Sequence, residues 1–245
     1  MSFAETVISI PIWDSEEQSE WTLALINHVE GGEKIRGNFH LVLVDNASPS
    51  QRTQEALRKV EASGSSRITV LRNEKNEGYG KAANRGIFYG MGMGAQFGII
   101  LNNDIEIRDP DFIENAFVQY LRKNPKQLMG SRYIDFNGDA IYDGQHVTPY
   151  LEGWCFAFHR LFVENVGLFD GEIFNWHEDA ELCIRAVKNG YPIVQSPAFE
   201  WDGIKPQIRG PLVHASGKTS FAKLDYKAIA EESRRYVTRK HFSGQ

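Results

Sequence analysis

From its start to about residue 101, the chain alternates short apolar runs with stretches whose apolar residues recur every three or four positions. Thr6–Ile12 (TVISIPI), residues 39–44 (FHLVLV), Ile68–Arg72 and Phe97–Leu101 (FGIIL) read as strands. Their nearly unbroken apolar character is that of strands covered on both faces, with Ile68–Arg72 the most edge-like. Residues 21–29, 50–62 and 81–89 between them read as helices, the second closed by a turn at 63–66. Strand and helix in strict alternation predict an α/β fold with a mostly parallel central sheet flanked by helices. Polar residues directly behind the strands deserve most notice, because ligands of open α/β sheets collect at the carboxyl ends of the strands.

The second half is less regular. Asp109-Pro110 starts an amphipathic helix over 111–122, and residues 132–145, with Asn137-Gly138-Asp139, suggest a hairpin. Residues 152–159 read as a strand, and 178–189 as a helix that Gly190 ends. The stretch 202–218, rich in glycine, proline and charge, reads as a mobile loop, and 221–242 as one helix. No repeat or linker interrupts the chain. The expected organisation is a single domain over residues 1–220, with a C-terminal helix in 221–245 packed on it or extending from it.

Composition narrows the picture. The 245 residues carry 27 basic and 32 acidic side chains, a net charge of −5, and are 42% hydrophobic. That is enough apolar material for a core, and it argues against disorder. An acidic balance argues against a surface that wraps nucleic acid. The two cysteines, Cys155 and Cys183, have no CxxC spacing, so neither a disulfide scaffold nor a thiolate zinc site is expected. No apolar run of about 18 residues is present, and the first residues do not read as a secretory leader. A soluble cytoplasmic protein is the default expectation.

Two glycine-rich stretches fail as phosphate loops. Gly78-Tyr79-Gly80-Lys81 lacks the third glycine of the dinucleotide fingerprint and the hydroxyl residue of a P-loop. Gly90 to Gly94 precedes a strand instead of following one. There is no G-x-S-x-G elbow and no HExxH.

Four polar motifs beside predicted strands remain: Asp45-Asn46-Ala47-Ser48, Asn102-Asn103-Asp104, His177-Glu178-Asp179-Ala180-Glu181, and Val213-His214-Ala215-Ser216. Singly, each has an ordinary explanation in turn capping or helix-dipole complementation. Together, with the strand VISIPIWD and the segments NEKNEGYGKAANRGI and VGLFDGEIFNWHEDAELCIRAVKNGYPIV, they resemble the family 2 inverting glycosyltransferases of GT-A fold. The resemblance runs from about Val7 to Ser220.

The resemblance implies transfer of a sugar from a nucleotide-sugar donor to a hydroxyl acceptor by metal-assisted single displacement. Asp45, with the backbone at Pro11 and Ile12, would contact the nucleotide. Asn76, Gly78, Lys81 and Asn103 match the family's nucleotide-side segments, although Asn76 and Gly78 equally suit a purely structural turn. Asn102-Asn103-Asp104 stands where the family has Asp-x-Asp, with the first aspartate replaced by asparagine. Asp104 and His214 would hold Mn²⁺ or Mg²⁺ against the diphosphate, the imidazole favouring Mn²⁺. Asp179 would be the general base. Trp154, Trp176, His177 and Glu178 would flank the acceptor or sugar, with core packing the alternative for the tryptophans.

Lys205, Arg209 and Lys218 in the 202–218 stretch would either close over the diphosphate or remain solvated. The basic tail (Arg234, Arg235, Arg239, Lys240) would either dock on the domain or contact an anionic membrane at its inner face. A saccharide, lipid-linked or other hydroxyl acceptor fits, and nucleic acid does not. The competing readings are a catalytically silent nucleotide- or carbohydrate-binding module and an enzyme that glycosylates modified nucleic acid bases.

Overall fold

A computed structural model of the chain describes residues 4–31, 35–134, 141–142, 145–146, 150–201, 208–214 and 226–242. The first half follows the hydrophobic pattern closely: β1 Thr6–Ile12, α1 Ser19–Gly31, β2 Phe39–Asp45, α2 Gln51–Ser63, β3 Ile68–Arg72, α3 Tyr79–Gly92 and β4 Phe97–Leu101. Short β5 Ile105–Ile107 follows, then a π-helical turn, Ile113–Val118, running into α4 Gln119–Lys123. The sequence predicted an ordinary helix over 111–122. The wider π turn lets the consecutive Ala116, Phe117 and Val118 all bury.

Strands β6 Leu128–Gly130, β7 Tyr133–Ile134, β8 Ile141–Tyr142, β9 Gln145–His146, β10 Tyr150–Leu151 and β11 Cys155–His159 precede α5 Arg160–Asn165 and α6 Glu178–Lys188. The chain continues through β12 Ile193–Gln195, β13 Glu200–Trp201, β14 Ile208–Arg209 and β15 Leu212–His214 to α7 Tyr226–Phe242.

Seven strands form the central sheet in the order β12-β6-β11-β4-β1-β2-β3. It is parallel except where β11 runs antiparallel to both β4 and β6. Every residue of β1, β2 and β4 is buried, because helices cover both faces. Side-chain alternation divides the strands between two cores. Ile8, Ile10, Leu41 and Leu43 pack with α1, α2 and the π-helical segment, while Val7, Val42 and Val44 pack with α3, α5 and α6. Helix α2 shows the local logic. The Ser50 hydroxyl accepts from Thr53 N at 3.1 Å, Gly64 closes the other end in the left-handed conformation, and Thr53, Ala56, Leu57 and Val60 form its buried stripe.

Two expectations from the second half are corrected. The hairpin forms between β8 and β9, whereas β7 pairs with β10, and Asn137-Gly138-Asp139 lies outside the described residues. The 202–218 stretch is not simply a loop: β13 pairs with β14, and β15 pairs antiparallel with β5. Lys205 and Lys218 lie outside the described residues, as does the side chain of Arg209, and of the tail the described helix covers Tyr226–Phe242. Helix α7 packs on the rest of the molecule, with Val237 fully buried against Ile173, Ala180 and Ile184.

Candidate functional site

At the carboxyl ends of β1, β2 and β4 lies an open cleft of about 560 Å³. Pro11, Ile12, Asn76, Gly78 and Asn103, five of the nucleotide-side residues expected from the sequence, line it. Asp45 and Lys81 do not. The Asp45 carboxylate is turned into a network in which Oδ2 pairs with Arg72 at 3.0 Å and accepts from Gln54 at 2.7 Å. Its Oδ1 accepts from Ser48 N at 2.9 Å and closes the turn behind β2. Lys81 is exposed on α3.

Asn46 lines the cleft in place of Asp45 and organises one wall of it. Its amide nitrogen donates to Asn76 Oδ1 (2.8 Å) and Gly78 O (3.2 Å), and its oxygen accepts from Asn73 (2.7 Å) and Glu77 N (3.0 Å). Gly78 is needed at its position: its φ is +90°, and a Cβ there would stand 2.2 Å from the Phe174 carbonyl oxygen. That carbonyl accepts from Tyr79 N, which joins the start of α3 to the far wall of the cleft.

The turn after β4 presents Asn102-Asn103-Asp104. The Asn103 amide is buried and donates to Asp14 and to Thr22, both at 2.8 Å. Asp14, itself fully buried, also accepts from Thr53, and burial raises its pKa to about 6. The turn is thereby pinned from behind.

Asp104 is fully buried, and neither of its carboxylate oxygens has a hydrogen-bond partner. Opposite it, His214 Nε2 lies 3.0 Å from Asp104 Oδ1, at a position set by the β5–β15 register, which pairs His214 with Ile105. The approach lacks hydrogen-bond geometry. Asn102 Nδ2 stands 3.1 Å from the same Nε2. A buried carboxylate without a hydrogen-bond partner and an imidazole nitrogen thus face each other across 3.0 Å.

Adjacent corners of an octahedral ion with ligands near 2.1 Å lie about 3 Å apart, so this pair fits a divalent cation. Among the described residues no group of three or more His, Cys, Asp or Glu gathers as a metal site. A cation here would need substrate oxygens or water to complete its shell. Trp154 was expected beside a sugar. Instead it is buried and stacks on His214 with ring centroids 5.0 Å apart and planes 7° from parallel, while its indole N–H donates to Glu152.

Asp179 opens α6. Its Oδ1 accepts from Ala180 N at 2.8 Å and its Oδ2 from Gly153 N at 3.1 Å. A Cβ on Gly153 would stand 3.0 Å from Asp179 Cβ and 3.1 Å from Oδ2, so a larger residue there would press the Asp179 side chain back by a few tenths of an ångström. The Gly153 carbonyl accepts from the Tyr79 hydroxyl at 3.1 Å. Burial pushes the Asp179 carboxyl above the ordinary carboxylate range, and burial together with the Asp179 charge pushes Glu178 up as well. Trp176 and His177 enter the helix with φ of 68° and 63°, a left-handed pair of non-glycine residues of the kind that holds strain at working sites. Both are half-buried, and burial followed by the nearby Arg234 charge lowers His177 to about 4.

Helix α6 is itself anchored. Glu181 is fully buried and pairs with Arg185 (2.7 Å), Lys240 (2.8 Å) and His241 (3.1 Å), the last two from α7. Burial alone would raise its pKa, but hydrogen bonds from His241, Arg185 and Lys240 outweigh it and hold the carboxyl far below the ordinary range.

Residues 10–175, more than half of the chain, match the Glycosyl transferase family 2 profile. This chain belongs to glycosyl transferase family 2. The chain is 26% identical over 202 residues to the dTDP-rhamnosyl transferase RfbF of Shigella flexneri, across 75% of this chain and 62% of RfbF. It is 23% identical over 198 residues to the uncharacterized protein y4gI of Sinorhizobium fredii, across 69% of this chain and 21% of y4gI. The chain thus spans less than two thirds of the length of either curated relative. Its fold is of GT-A type. Among solved structures it resembles the mannosyltransferase PcManGT of Pyrobaculum calidifontis, determined with GDP-Man and Mn²⁺, at a TM-score of 0.57 and 18% identity, covering 80% of this chain and 55% of that one.

Sequence reasoning missed Asn46, Gly153 and Asp14 as builders of the candidate site. Asn46 and Asp14 sit inside motifs the sequence does display, so a count of buried polar positions behind strands was a signal for them. Gly153 leaves no such trace, since its role is a close approach to a residue on a distant helix.

Proposed function

We propose that this chain transfers a sugar from a nucleotide-sugar to a hydroxyl acceptor by a metal-assisted single displacement with inversion at the anomeric carbon. The observation that carries this reading is the segment Glu152-Gly153-Trp154. Gly153 N holds Asp179, while the neighbouring Trp154 ring backs His214, which faces Asp104. A candidate base and a candidate cation site thus meet consecutive residues of one segment, and Tyr79, bonded to Gly153, lines the cleft.

Asp104 and His214 would hold the cation. Bound there, Mn²⁺ or Mg²⁺ supplies Lewis-acid stabilisation of the departing nucleoside diphosphate. Pro11, Ile12, Asn46, Asn76, Gly78 and Asn103 receive the nucleotide. Asp179 takes the proton of the acceptor hydroxyl as that oxygen bonds to the anomeric carbon. The bond to the diphosphate breaks on the opposite face, and its electron pair leaves with the diphosphate. The raised pKa of Asp179 makes it a stronger base than a solvated carboxylate. Trp176 and His177 stand on the sugar side. The acceptor is a saccharide or lipid-linked hydroxyl, met in the cytoplasm or at the inner membrane face, where Arg234, Arg235 and Arg239 of α7 would contact anionic lipid.

A thermal-shift screen of UDP, GDP, dTDP and CMP sugars with Mn²⁺ tests this, beginning with dTDP-rhamnose because RfbF is named a dTDP-rhamnosyl transferase. The donor is expected to raise the melting temperature, and Asp104→Ala to remove the part of that rise that depends on metal. Stabilisation by no nucleotide-sugar would overturn the reading.

A further inference from the structure

We propose that Glu178 works as a neutral carboxylic acid that donates a hydrogen bond to a sugar hydroxyl, leaving proton abstraction to Asp179. The inference rests on the transferase reading above and assigns the second carboxyl of the α6 start a role unlike that of the first. Glu178 is only 9% exposed, and its Oε2 is buried without a hydrogen-bond partner. No cation pairs with it among the described residues. Asp179, the next residue, has a backbone N–H on each of its oxygens.

Two adjacent buried carboxyls do not both ionise cheaply, and the negative charge settles where donors already wait. Asp179 has a donor on each oxygen and keeps the charge; Glu178 has only its own backbone N–H, with nothing on Oε2, and keeps the proton. The groups around Glu178 give no reason for the reverse. Asp179 lies on its own helix, the Tyr79 phenol comes from α3, and Glu152 acts on Asp179 from the segment before β11. His177 is held neutral by burial and by Arg234 of α7. Glu178 adjoins Asp179, whose carboxylate is held by Gly153, and Gly153 in turn accepts from Tyr79, a residue that lines the cleft. A buried O–H with no protein acceptor suits a sugar hydroxyl oxygen.

Melting temperatures of wild type, Glu178→Gln and Glu178→Ala from pH 4.5 to 8 read the protonation state without any donor. An unfolded glutamate ionises at about 4.3. If the folded one stays protonated, wild type loses stability with rising pH relative to Glu178→Gln. Glu178→Gln is therefore expected to gain several degrees on wild type between pH 5 and 8, with no gain at pH 4.5. A difference that does not change with pH would overturn the proposal.

The second arm uses the nucleotide-sugar found by the screen and its bare nucleoside diphosphate. Glu178→Gln, which keeps an N–H donor, is expected to turn over within about threefold of wild type, and Glu178→Ala to lose at least tenfold. Weaker binding of the nucleotide-sugar alone by Glu178→Ala assigns the hydroxyl to the donor; unchanged binding with slower turnover assigns it to the acceptor. If Glu178→Gln is as inactive as Asp179→Asn, the proposal fails. If wild type releases no nucleotide at all, the transferase reading fails, and the melting curves still decide the state of Glu178.

Discussion

A methyl group on Gly153 would stand 3.0 Å from Asp179 Cβ and push that side chain by a few tenths of an ångström. Gly153→Ala is expected to displace the carboxylate and lower kcat at least tenfold while the nucleotide still binds, as steady-state kinetics beside calorimetry would reveal. Trp154 acts at the other end of the same segment. Its stacking fixes the His214 ring plane, so Trp154→Leu is expected to weaken Mn²⁺-dependent nucleotide binding by about 10–100-fold, the usual effect of losing a ligand's support. The pH dependence of turnover belongs to this scale too. Because burial raises Asp179, its protonated and inactive form persists above the ordinary range of about 4, and kcat/KM is expected to fall on acidification already above that value.

Individual residues were legible where chemistry shows in the letters: Asp104, Asp179 and His214 all stand out beside strands or at a helix start. For Asp45 the letters do not reveal that its carboxylate pairs with Arg72, because a carboxylate behind a strand looks the same whether it faces a ligand or a cation.

Among the elements, α6 carries the proposed base and α7 holds α6 in place. Glu181 is the joint, buried under Arg185, Lys240 and His241. Glu181→Ala leaves those cations without their carboxylate and is expected to destabilise the fold by about 3 kcal/mol in urea unfolding. The sign of the pH effect follows from its lowered pKa. A depressed carboxylate stabilises the fold above its unfolded value of about 4.3, and that contribution fades as pH falls below it. Wild type is therefore expected to lose stability below about pH 4 more steeply than Glu181→Ala. Five strands of the central sheet, β1, β2, β3, β4 and β11, were visible as apolar runs, whereas β6 and β12, of three residues each, were too short to read. The pairing of β5 with β15 was not visible, since three-residue strands more than a hundred positions apart leave no periodicity to read. That pairing turns an expected loop residue, His214, into a strand residue fixed opposite Asp104.

On the scale of the whole molecule, the family match ends at residue 175, while Asp179, His214 and α7 all follow it. The cleft is lined by the matched segment, and Asp179 and His214, with their proposed roles, lie on segments that follow it. The fold class could be read from alternation alone, but the link from Asp179 through Gly153 to Trp154 and His214 depends on the segment that leads into β11, the strand that runs antiparallel into the centre of the sheet. Among the described residues no helix is long and apolar enough to cross a membrane. The most direct test of this assembly is the rate of nucleoside diphosphate release by Asp179→Asn, measured with the wild-type donor and Mn²⁺ after donor affinity has been shown unchanged. Release is expected to fall by at least a thousandfold; release at the wild-type rate would contradict the assignment of Asp179 as the base.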